Sequence, residues 1–131
     1  MITFLSDHNI EGQIALLWRT FTSEGWLILT GVNLVTFYDV HLPINSSDRA
    51  VWDFVQSRGM LLITGNRNMK GDDSLEQTIR EQNHPTALPI LTIGNVERLL
   101  ENEYRKRCAI RLAEIVMYLD DYLGIGRLFI P

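Results

Sequence analysis

Apolar and polar positions fall into alternating blocks along the chain. "ITFLS" near the start is a short β-branched and apolar run and predicts a buried strand. From Asn9 the period changes, because Ile10, Ile14, Leu17, Trp18 and Phe21 recur at helical spacing. Asp7 or Asn9 can cap that helix, and Glu11 suits its positive N-terminal end. Residues 24–33 leave helix and strand both open, since Gly25 and Gly31 bracket "WLILT". "LVTFYDV" reads as a strand and "HLPINSS" as a loop. "SDRAVWDFVQSRG" reads as a helix with Ser47 as its N-cap and Gly59 as its terminator. "MLLIT" is a strongly apolar strand, and "GNRNMKGDD" a polar loop. "SLEQTIREQN" predicts a helix and "ALPILTI" a strand, with Pro89 arguing for irregular or edge-like pairing. The stretch from Asn95 to Gly124 is helical in one or two pieces. Leu112, Ile115, Val116, Leu119 and Leu123 form its apolar stripe, and Glu101–Arg105 and Glu103–Arg107 are its i,i+4 pairs. "RLFI" reads as a last strand.

Strand and helix in repeated alternation predict an α/β fold, three layers deep, with a mostly parallel central sheet and helices on both faces. One domain over 1–131 suits the length. In such sheets the ligand crevice lies beyond the carboxyl ends of the strands. Two polar knots fall there. Asp7 and Asn9 follow the first strand, and Asn66, Asn68, Asp72 and Asp73 follow "MLLIT". If the two strands are parallel neighbours, both knots reach one edge.

Composition narrows the picture. The net charge of -4 gives no overall attraction to nucleic acid, so any such binding needs a local basic patch. Cys108 is the single cysteine, so no intrachain disulfide can form. It lies in an apolar-periodic helix and reads as a packed thiol. No apolar run reaches the roughly 18 residues of a membrane span. The opening lacks the pattern of a signal peptide. The expectation is a cytoplasmic protein with no membrane association.

Clustered carboxylates and amide oxygens hold Mg²⁺ or Mn²⁺, which suits phosphate chemistry. The candidates are Asp7, Asp48, Asp72 and Asp73, with Asn9 and Asn66 as neutral donors. Each acid also has a structural explanation. Asp7 can cap a helix, Asp48 lies in the first helical turn after Ser47, and Asp73 with Glu76 has the spacing of a capping box. Asp72 can be an ordinary solvated loop residue. Arg67 and Lys70 flank the acids and Arg49 neighbours Asp48, so these three can meet substrate phosphates. "YRKRCAIR" gathers Arg105, Lys106, Arg107 and Arg111, which read equally as a solvated helix face paired with glutamates. The histidines His8, His41 and His84 have no zinc-site spacing. "TGNRNMKG" lacks the order of a phosphate-binding P-loop, and "GIGRLF" makes a poor dinucleotide motif. Asp7-x-Asn9 faintly suggests an aspartate phosphotransferase or phosphohydrolase, but the residues that should follow are missing.

"FLSDHNI" resembles the "FLxDENI" opening of small PIN-like domains, a branch related to VapC-type toxins. "SSDRAVWDFVQSRGMLLITGNRNM" resembles that branch's "SDxxIxxxAxxxGxxLLTxDxDF" stretch without gaps. The match covers roughly residues 2–14 and 46–69. The resemblance implies a metal-dependent nuclease, foremost an endoribonuclease that hydrolyses phosphodiesters with a Mg²⁺- or Mn²⁺-activated water. It further implies RNA as substrate, an antitoxin-like protein partner and a homodimer; apolar residues near Leu123–Phe129 are candidates for its interface. Carried over by motif, the first acid falls on Asp7 and the polar position after it on Asn9. The helix-start acid falls on Asp48 and the threonine on Thr64. The two aspartates of T-x-D-x-D fall on Asn66 and Asn68, and the glutamate after the first acid on His8. An amide can ligate a metal but carries no charge and cannot act as a base. Either Asp72 or Asp73 restores the charge, with Asp7, Asp48 and Asp72 as the metal set, or the site is degraded and the chain is a binding or regulatory module.

Overall fold

The computed structural model describes residues 1–66 and 74–131. Strands β1 (Thr3–Ser6), β2 (Asn33–Val35), β3 (Met60–Thr64), β4 (Ile90–Ile93) and β5 (Arg127–Ile130) form one sheet in the order β2-β1-β3-β4-β5. Every neighbouring pair is parallel. The helices are α1 (Glu11–Ser23), α2 (Trp26–Thr30), α3 (Asp48–Arg58), α4 (Leu75–Gln82) and α5 (Asn102–Met117). Short 3₁₀ turns cover His8–Ile10, Val96–Leu100 and Leu119–Tyr122. No helix among the described residues is long and apolar enough to cross a membrane.

The central strands read as unbroken apolar runs because both of their faces are covered. Phe4, Leu61, Ile63 and Leu91 point to one face, under Ile14, Leu17 and Phe21 of α1 and Cys108 and Leu112 of α5. Leu5, Leu62 and Ile90 point to the other, under Val51, Trp52 and Val55 of α3 and Leu75 of α4. This is the expected three-layer α/β/α arrangement. The chain steps from β1 to β2 over the α1 face and from β4 to β5 over the same face in the opposite direction along the sheet. The β4–β5 crossover is therefore of opposite hand to the other three, which departs from the usual uniformity of such connections. One result bears on function: the chain after β4 is drawn across toward α1, and Val96 comes to rest against the loop that follows β3.

Local signals account for most element ends. Ser47 Oγ accepts from Ala50 N (3.1 Å) at the start of α3, and Gly59 ends it with φ +67°. Four expectations change. The predicted strand "LVTFYDV" stops at Val35, because Asp39 turns the chain by accepting from Thr36 N (2.9 Å). Ser74, not Asp73, caps α4, accepting from Gln77 N at 3.1 Å. β4 is an interior strand, and Pro89 stands just before its first residue, where no ladder bond is lost. The predicted Glu101–Arg105 and Glu103–Arg107 pairs do not form; Glu101 pairs with Arg98 and Glu103 with Lys106.

Cys108 is fully buried, and this burial pushes its thiol up to about 12 from 9.0, opposed by the charges of Arg107 and Arg98. Between those values the unfolded chain loses the thiol proton and the folded chain keeps it, so stability falls as pH rises there and is unaffected below. An aromatic disulfide reagent at pH 8 should label Cys108 only at the rate of global opening, and Cys108→Ala should flatten the alkaline fall in stability. Immediate stoichiometric labelling of the folded chain would contradict this placement.

Candidate functional site

The sheet order reverses at β1, with β2 on one side and β3 on the other. In doubly wound sheets of this order the crevice opens at that point, beyond the carboxyl ends of the two strands. A cleft of about 490 Å³ lies there, lined among the described residues by Asp7, Asn9, Ile10, Asp48, Gly65, Asn66 and Val96.

Asp7 extends the ladder between β1 and β3 by one bond, its N–H donating to Ile63 O at 2.9 Å. Its carboxylate accepts from Asn9 N at 3.3 Å, which starts the 3₁₀ turn leading into α1. Its other oxygen accepts from Thr64 Oγ1 at 2.6 Å, and Thr64 Oγ1 in turn accepts from Asn66 N at 2.9 Å. Thr64 is only 1 % exposed, so these bonds are shielded from water. Asp48 arrives from the far face of the sheet as the first residue of α3. Both of its oxygens accept from Asn66 Nδ2 at 3.0 Å, and Oδ2 also accepts from Leu75 N at 3.0 Å, the first residue of α4. A continuous chain of contacts thus runs Asp7–Thr64–Asn66–Asp48.

Asp7 caps the 3₁₀ turn His8–Ile10 rather than α1, which starts after Ile10 without a side-chain cap, and the helix-start role of Asp48 is realised, yet neither carboxylate is saturated. An ionised carboxylate offers about four acceptor positions. Asp7 uses two and Asp48 three in the bonds above. The remaining positions, on two acids that line one cleft, suit a hard cation that keeps most of its own waters and takes only one or two carboxylates. No group of three His, Cys, Asp or Glu side chains that could hold a metal occurs among the described residues.

The structure brings Asp7, Asn9, Asp48, Thr64 and Asn66 together. Arg49 instead bridges α3 to α4, donating from Nη2 to Glu81 Oε2 at 2.6 Å. Hydrogen bonds from Gln77 and then Arg49 hold the Glu81 carboxyl below its usual value. The predicted Arg67, Asn68, Lys70, Asp72 and Asp73 lie outside the described residues. His8 interacts with Glu11 through Nδ1 at 3.4 Å and lies near the Phe37 ring.

Sequence reasoning missed three contributors. Arg127, at the start of β5 and nearly buried, donates from Nη1 to Asn66 O (2.8 Å) and Thr92 Oγ1 (2.7 Å), and from Nη2 to Glu76 Oε2 (3.2 Å). It fixes the carbonyl of the residue that holds Asp48. Its only sequence signal is a charge opening an apolar strand. Val96 supplies a wall, and Gly65 makes room for it: a Cβ at Gly65 would stand 2.6 Å from Val96 Cγ2.

No family model, curated protein or solved structure matches this chain.

Thr64→Val removes one hydroxyl and strands two partners, Asp7 Oδ2 and Asn66 N. It should cost about 1–3 kcal/mol, read by urea denaturation in chelator, whereas Thr64→Ser should recover most of that loss. Equal stability of the valine and serine variants would mean that the bridge carries no energy.

Proposed function

We propose that this chain is a PIN-like, Mg²⁺- or Mn²⁺-dependent endoribonuclease whose reaction centre is the cleft between Asp7 and Asp48. The observation that carries the reading is the convergence of these two acids, one from the end of β1 and one from the start of α3 on one face of the sheet, on one open cleft at its switch point. Asp7 and Asp48 are the residues that would hold the cation, with Asp72 or Asp73, a few residues after Asn66 in sequence, as a further ligand. A bound cation of this class lowers the pKa of water and neutralises charge on a phosphate.

The chain's own groups have distinct tasks in this reading. The Thr64 hydroxyl fixes one oxygen of Asp7 and leaves positions on that carboxylate toward the cleft. Asn66 orients Asp48, and Arg127 holds Asn66 by its carbonyl. Asn9 stands on the cleft wall as a neutral polar contact. Arg67 and Lys70 follow Asn66 in the chain and would meet substrate phosphates, as would Arg49 if it left Glu81. A cytoplasmic location, an antitoxin-like partner and a homodimer belong to the same reading.

A second reading has its own observation. Asn66 Nδ2 donates to both oxygens of Asp48, so a neutral amide already does for that carboxylate what a cation would do. A binding or regulatory module without catalysis would be built this way.

Purified protein should cleave single-stranded RNA with Mn²⁺, and Asp7→Asn or Asp48→Asn should each slow cleavage at least about 100-fold, or ~2.7 kcal/mol in the barrier. Calorimetry separates the two readings. Saturable Mn²⁺ binding lost in Asp7→Asn supports the nuclease, whereas no binding and equal residual cleavage by wild type and variant supports the module.

A further inference from the structure

A second polar cavity, of about 320 Å³, lies between α1 and the start of α5 and is lined by Leu16, Arg19, Thr20, Ser23, Asn102 and Arg105. Its charge is one-sided. Arg105 is half-buried and donates from Nε to Thr20 Oγ1 (2.9 Å), from Nη1 to Leu99 O (2.9 Å) and from Nη2 to Asn102 Oδ1 (3.4 Å). All three acceptors are neutral. Among the described residues neither Arg105 nor Arg19 has a carboxylate partner, whereas Arg98, Lys106 and Arg111 nearby in the chain each pair with glutamate. Glu24 and Glu103, which adjoin Ser23 and Asn102 in sequence, are both taken up by Lys106 at 3.8 Å. Lys106 offsets one of these two charges, and neither carboxylate makes an ion pair with Arg19 or Arg105 among the described residues.

The bonds inside the cavity also leave it rich in donors. A guanidinium has five N–H groups, and Arg105 uses three, so two remain. Because Arg105 takes the Asn102 oxygen, the amide NH₂ of Asn102 stays available, and Thr20 accepts through an oxygen whose own hydrogen is still free to donate. Two guanidiniums, an amide NH₂ and a hydroxyl around one cavity match a tetrahedral oxyanion, whose several acceptor oxygens need several donors at once.

We propose that this cavity is a binding site for a phosphate dianion, either inorganic phosphate or the terminal phosphate of a monoester, with Arg19 and Arg105 as its charged ligands. It shares no lining residue with the cleft at Asp7 and needs no divalent cation, so it stands independently of the nuclease reading.

The test is a titration of the ¹⁵N-labelled full chain with inorganic phosphate, in chelator and at constant ionic strength, followed by amide chemical shifts. A parallel titration uses uridine 5′-monophosphate. Saturable shifts at Thr20, Ser23 and Asn102 with Kd near or below about 1 mM are expected. Arg19→Glu should weaken binding at least about tenfold with an otherwise unchanged spectrum, because Arg19 is exposed and makes no hydrogen bond or ion pair among the described residues. Arg105→Lys, which keeps the charge but not the planar fork, should weaken it as well. Tighter binding of the nucleotide assigns the site to a phosphomonoester, and tighter binding of phosphate to the free ion. Shifts that are absent or linear to about 10 mM, shifts confined to Asp7 and Asn66, or unchanged affinity in Arg19→Glu would overturn the proposal.

Discussion

The pairing of β1 with β3 is the constraint on which the cleft depends. Ser6 stands opposite Ile63, and Asp7 N–H reaches Ile63 O to close the ladder one residue further on. This register places Asp7 and Thr64 at the same level of the sheet edge, where a hydroxyl and a carboxylate can meet at 2.6 Å. A slip of one residue would exchange the faces of Phe4 and Leu5, which fit two differently shaped layers, and would carry Thr64 away from Asp7. Packing on both faces therefore holds a polar geometry that packing itself does not touch.

Asp48 reaches the same place by a different route. The cap at Ser47 sets where α3 begins, and the packing of Val51, Trp52 and Val55 on Leu62 and Ile90 sets where its first turn lies. Two acids sharing a cleft repel each other when ionised. Here the cost is spread over neutral donors: Asn9 N and Thr64 Oγ1 on Asp7, Asn66 Nδ2 and Leu75 N on Asp48. Asp48 also stands at the positive ends of α3 and α4, which favour its charge. The same bonds tie the first turn of α4 to the site, so the cleft and the α3–α4 layer are one mechanical unit.

Most of the strands and helices, the Ser47 cap and the Gly59 stop were legible in the sequence because their signals are local, whereas α2 stood open between helix and strand and β2 ends at Val35, short of the predicted Val40. The edge that carries the cleft was legible because alternation of strand and helix puts the loops after parallel strands on one side, whereas the reversal of order at β1 was not. The ion pairs of the last helix were misread. Glu101 is the N-cap of α5 and its carbonyl accepts from Arg105 N at 3.1 Å, but the Arg105 side chain turns to Thr20 and Leu99, and Glu103 meets Lys106 rather than Arg107. Arg98 takes Glu101 instead. Arg127 was out of reach altogether, since its partners Asn66, Glu76 and Thr92 are set by sheet order alone. Val96 became a wall of the site through the unusual hand of the last crossover, which no window of sequence encodes.

The two acids of the cleft are not equivalent, and Asn66 is the reason. An aspartate at that position would have placed a third negative charge beside Asp48 and required a cation or a proton to hold the group together. The amide presents N–H donors to both Asp48 oxygens, so the arrangement is satisfied as it stands. One acceptor position on Asp48 stays open beside those bonds, and only a cation that needed a second would have to turn that amide away and give up hydrogen bonds to a charged acceptor. Asp7 asks for no such exchange, because Thr64 and Asn9 leave half its acceptor positions open. Asp7 thus offers two open acceptor positions against one on Asp48, and the difference is the work of the Asn66 amide.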